Sequence, residues 1–180
     1  MVYSDFEVID SSLKDKLCFV LDAQGFFVRG KFFPREVAIR FPHDFFSFEF
    51  DLPALNFSIS EKKTLDYCSN FVHGLEWESK NSLTLPVSTF EEILKHLHLK
   101  HSKDGRNLVV IKHHHLEEIL RKLNIPYYFW NNPITPKQGL YPICKLHHNK
   151  RCAVKKVDQI YNDICEIKRK DPQYNSYQHW

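Results

Sequence analysis

Nowhere in the 180 residues is there an apolar run long enough to span a bilayer, and the opening MVYSDFEVIDSSLK holds no apolar stretch of the signal-peptide kind. A membrane partner is therefore not expected, and the cytoplasm or the nucleus is the expected location. A large charge imbalance is missing too. The 25 Lys and Arg against 22 Asp and Glu leave +3 with His neutral, which is too mild by itself to demand a polyanion. Cysteine is scarce and odd in number, at five, so a complete disulfide framework is excluded. In a reducing compartment such thiols are free, buried or metal-bound. No internal repeat is visible, and the length is about one domain's worth. Residues 1–170 are read as a single domain, and 171–180, which show no periodicity, as a loose tail.

What is present is a globular composition: 43% hydrophobic, 26% charged, with fifteen Phe and eight Tyr to fill a core. The apolar run Leu17 to Leu21 reads as a buried strand ending at Asp22, and Glu36 to Phe41 and Phe45 to Phe50 read as two more. Joined by short loops, the three make an antiparallel meander. Ser60 is placed to cap a helix carrying Leu65, Cys68 and Val72 and ending near Gly74. Ser88 and Glu91 suggest a capping box for a second helix with Phe90, Ile93, Leu94 and Leu97 at helical spacing.

Asn107 to Ile111 is a further strand that feeds a helix with Leu116, Ile119, Leu120 and Leu123, and Pro126 to Trp130 suggests one more strand. A linker with Pro133, Pro136 and Pro142 then leads to a last helix, about Cys152 to Arg169, whose stripe is Ala153, Val154, Val157, Ile160, Tyr161 and Ile164. The expected fold is α/β: a mixed sheet with a three-strand antiparallel meander and helices on both faces.

This element order, from Leu17 to Ile167, resembles the ribonuclease H-like fold of the DEDD exonuclease lineage. In that lineage carboxylates at strand ends hold two divalent ions about 4 Å apart. The resemblance places Asp22-Ala23-Gln24 where the lineage has Asp-x-Glu, and Arg151-Cys152-Ala153-Val154-Lys155-Lys156 where it has His-x-Ala-Leu-x-Asp. Glu117, behind His113, His114 and His115, is a displaced candidate for the next acid. Ammonium groups in place of carboxylates repel Mg²⁺, which implies loss of two-metal catalysis. An Asp starting a turn after a strand needs no catalytic reason. Nor can three consecutive His residues converge on one ion, so the triplet reads as an exposed helix start.

Cys144, His147 or His148, and Cys152 lie close together before the last helix, and thiolate with imidazole is the ligand chemistry Zn²⁺ prefers. A fourth ligand must come from elsewhere. Buried apolar cysteines are the plain alternative. The segment FFPREVAIRF followed far downstream by Cys-x2-His and Cys-Ala resembles the Maelstrom domain. That resemblance implies a structural Zn²⁺ held by Glu36, Cys144, His147 and Cys152, with His148 competing for the third position. Such a site would pin the last helix to the sheet and leave no ligand position for a catalytic water.

The resemblance also implies a non-catalytic module that binds nucleic acid, with single-stranded RNA favoured, in small-RNA pathways and transposon silencing. The basic residues Lys145, Lys150, Arg151, Lys155 and Lys156 are the candidate phosphate contacts, against the plain reading of a solvated helix face. Tyr127 to Trp130 could stack on bases. Two alternatives stand beside it: a single-stranded-RNA endonuclease without the DEDD acids, and a protein-interaction scaffold.

Overall fold

The structure, a computed structural model, describes residues 13–81, 83–132 and 152–167. Its elements in chain order are α1 (Leu13–Lys16), β1 (Leu17–Val28), β2 (Lys31–Arg40), β3 (Phe45–Asp51), α2 (Ile59–Tyr67), β4 (Leu85–Pro86), α3 (Phe90–His101), β5 (Leu108–Ile111), α4 (Glu117–Lys122), β6 (Tyr127–Phe129) and α5 (Ala153–Glu166). The strands form one mixed sheet in the order β4-β3-β2-β1-β5-β6. The β1-β2-β3 ladder is antiparallel, whereas β5 runs parallel to β1 and β6 parallel to β5. Helices cover both faces, as the element order predicted.

The apolar run at the start of β1 is continuous because both sheet faces are covered there. Phe19, Leu21 and Ala23 point to the side packed by α3 and α4, with Val37, Ile39, Val109 and Ile111 beside them. Leu17 and Val20 point to the other side, with Ala38 and Val110, under Ala153, Val157, Ile160 and Ile164 of α5. Asp22 follows Val20 in the period-2 alternation, so a carboxylate is delivered to the α5 face where an apolar side chain would otherwise sit.

β1 and β2 are longer than their apolar content suggests. Their far halves make a hairpin with its own cluster of Phe26, Val28, Phe33 and Leu65. The hairpin turns at Arg29 and Gly30, both at positive φ. A register shift between Gln24 and Gly25 marks where it departs from the main sheet. A Cβ on Gly25 would sit 2.0 Å from the Phe33 carbonyl oxygen, so only glycine fits this close approach of two backbones.

The predicted caps are corrected by local geometry. α2 is capped by Ser58, which has extended dihedrals and shares a complete capping box with Glu61; Ser60 already lies inside the helix. After α2 the chain widens into a π turn over Cys68–Val72. The Ser88/Glu91 box does not form. A 3-10 turn over Val87–Thr89 precedes α3, and Thr89 Oγ1 donates to the Pro86 carbonyl. Among the described residues no helix is long and apolar enough to cross a membrane.

Candidate functional site

β1, β5 and β6 are parallel, and ligands of open α/β sheets gather outside the carboxyl ends of such strands. Here that region is built from Asp22 and Gln24 of β1, Glu36 of β2, the segment Lys112 to His115 after β5, and the first turn of α5. The Asp22 carboxylate has no solvent exposure and is no turn residue: it sits within β1, paired in register with Ala38. Gln24 Nε2 donates to Asp22 Oδ2 at 3.0 Å. Lys156 Nζ, reaching down from α5, lies 3.9 Å from the same oxygen. That ammonium also donates to His113 Nε2 at 2.6 Å, and the ring lies 3.6 Å from Asp22 Oδ1. Oδ1 makes no hydrogen bond among the described residues.

Burial pushes the Asp22 carboxyl up to about 7, with Glu36 adding to the push. Lys156, Gln24 and a backbone hydrogen bond at Ala23 pull the other way. Lys112 Nζ donates to the Asn132 carbonyl at 2.9 Å, and its basicity is lowered by burial and by the nearby Lys156. The two ammonium groups therefore repel each other, and an anion placed near both would relieve that repulsion.

The histidine triplet divides by side. His113 is extended and a 3-10 turn begins at His114, so the rings of His113 and His115 fall on one side, stacked with centroids 5.1 Å apart and planes at 11°. His114 lies on the other side, stacked on Phe129 at 4.1 Å and hydrogen-bonded to Glu117. His115 bonds to the backbone at Ala23, and its Nε2 is buried with no hydrogen bond among the described residues; burial drives its pKa down to about 4. The triplet is thus more than an exposed helix start. What sets it apart is its first member, which is extended and, past the bend at Lys112, meets Lys156 and Asp22. Glu117, the displaced acid, is engaged by His114, Arg121 and Tyr127.

The zinc expectation is overturned. Among the described residues no group of three or more His, Cys, Asp or Glu could hold a metal ion. Glu36 is buried and accepts the Ala153 backbone N–H at 3.1 Å, with Cys152 Sγ 4.0 Å from the same oxygen. Its visible work is to satisfy an orphan donor at the N-terminus of α5, where a carboxylate also meets the positive end of the helix dipole. Among the described residues, α5 is pinned to the sheet by this contact and by the apolar stripe. Cys144, His147 and His148 lie outside the described residues.

Of the candidate phosphate contacts, Lys155 is half-buried and Lys156 is turned inward onto Asp22 and His113. Lys145, Lys150 and Arg151 lie outside the described residues. Trp130 and Tyr127 are core residues. His73, in the π turn's exit, is also internal: it bonds to the Gly25 carbonyl and accepts the Leu75 N–H.

Compared with family models, with curated proteins and with solved structures, the chain matches none. What the site can do rests on its own geometry: a buried carboxylate beside an internal ammonium, a second lysine near that ammonium, and the imidazoles of His113 and His115.

Proposed function

We propose that this is a nuclease-like domain of the ribonuclease H-like type, similar to the Maelstrom domain, that binds single-stranded nucleic acid at the carboxyl ends of its parallel strands. The meander continued by two parallel strands, with helices on both faces, supports the likeness. One observation carries the proposal: Lys156 stands beside Asp22, with Lys112 near enough to feel its charge, in the crevice where a two-metal enzyme would hold its cations. Lys156 is the residue aligned with the last acid of the exonuclease pattern, and its ammonium does for Asp22 what a divalent ion does for a catalytic carboxylate. It neutralises the charge without supplying an open coordination position for water.

The test is the salt dependence of binding. Titration of labelled oligouridylate into the full chain should give an affinity that falls log-linearly with salt, and Lys112→Ala should reduce the magnitude of that slope by about one. No binding even at about 50 mM salt sinks the proposal. Mg²⁺-dependent cleavage lost in Asp22→Ala would show that the site still uses metals.

A further inference from the structure

The hairpin beyond the bulge carries a feature that the strand-end cluster does not explain. Phe27 is 58% exposed although it belongs to a sheet strand rather than to a loop. Leaving a phenyl ring in water forfeits the burial that normally places such residues inside. Yet the ring is not loose. Its register partner on β2 is Phe32, whose centroid lies 5.0 Å away. His115 approaches both, 5.6 Å from Phe27 and 4.0 Å from Phe32. His115 in turn stacks on His113, and His113 accepts a hydrogen bond from Lys156. A continuous row of rings therefore runs from the exposed Phe27 to the ammonium at Asp22.

We infer that Phe27 is a stacking platform for an unpaired nucleobase whose phosphates run along the row toward Lys112 and Lys156. This deepens the nucleic-acid reading and rests on it. The occupant follows from what surrounds the ring. An apolar protein partner needs a contiguous apolar patch, but beyond Phe27 the chain turns through the exposed Arg29, paired to Glu61, and Gly30, and the row ends at the Lys156 ammonium. An exposed aromatic face at one end of the row and an ammonium at the other suit a ligand that is itself an alternation of anionic groups and π faces. Duplex nucleic acid fits less well, because its bases are already stacked and offer no free face. The ring is held by Phe32 and His115, so little side-chain freedom remains to be lost on binding.

Three substitutions at Phe27 and two probes, oligouridylate and an abasic oligomer of the same length, decide the matter with the full chain. Phe27→Ala should weaken oligouridylate about tenfold, within the range of one base–aromatic stack. It should leave the abasic oligomer unaffected and the salt slope unchanged, because no phosphate contact is removed. Phe27→Trp should bind at least as tightly as the parent. Phe27→Leu keeps apolar bulk without a π face and should behave like the alanine variant; a leucine variant that binds like the parent overturns the stack. Equal loss for both probes overturns it too, by assigning Phe27 to the shape of the hairpin. Wild-type levels of binding in Phe27→Ala, with the Lys112→Ala slope change intact, would remove the platform and leave the broader reading standing. Absence of oligouridylate binding by the parent chain would remove both.

Discussion

At the scale of single residues, two buried groups contribute to the pH response of the fold with opposite signs. Asp22 is raised by burial from 3.8 to about 7. Its stabilising contribution is therefore fully present below the unfolded value and is lost as pH rises through the folded one. His115 is lowered by burial from 6.5 to about 4, so its contribution is present above 6.5 and is lost as pH falls toward the folded value. Over most of the interval between, the two slopes have opposite sign and offset each other. Asp22→Asn removes one of them. The variant should lose stability on acidification through this window relative to the parent, measured by urea unfolding at a series of pH values. Parallel curves would mean that Asp22 is already ionised throughout.

At the scale of elements, α5 is the piece whose attachment the amino-acid pattern described only in part. Its stripe of Ala153, Val157, Ile160 and Ile164 was legible because burial on a helix leaves a 3.6-residue period. The partner of its N-terminus was not legible in that way, since a remote carboxylate capping a helix has no local signature. Glu36 was instead noticed through a ligand pattern, which found the right pair of elements and the wrong bond. The strands were legible as apolar runs, whereas the far halves of β1 and β2 were not, because they face a separate small cluster across the Gly25 bulge. Of the site, Asp22 and Lys156 were found by alignment with a catalytic pattern. The pairing of His113 with His115 depends on where an extended residue gives way to a 3-10 turn, which composition does not fix.

The cap itself can be tested. Glu36→Ala leaves the buried Ala153 N–H without its acceptor and should lower stability by about 1–3 kcal/mol. Glu36→Gln keeps an acceptor oxygen and should retain more than half of that, as read by urea denaturation. If the glutamine variant is as damaged as the alanine one, the contribution of Glu36 lies in its charge and not in the hydrogen bond to α5.

At the scale of the whole molecule, the near balance of charge becomes meaningful. A chain with +3 overall does not attract a polyanion strongly by its average field, so affinity depends on local charge at the crevice. The groups facing Asp22 are Gln24 from its own strand, Glu36 from β2, His113 from the segment after β5, and Lys156 from α5. With Asp22 ionised, Lys156 is compensated. As pH falls through about 7 the carboxylate takes up a proton, and the ammonium becomes available to a phosphate. Binding and protonation are then linked: a phosphate near Lys156 favours protonated Asp22, and protonated Asp22 favours the phosphate. The parent chain should bind oligouridylate more tightly below this pH than above it. Asp22→Asn, permanently uncharged, should bind tightly on both sides, retaining only the response of the histidines. The difference between the two pH profiles isolates Asp22. A parent and variant with superimposable profiles would show that Lys156 never releases its charge to the ligand, and that the crevice attracts nucleic acid through Lys112 and the histidines alone.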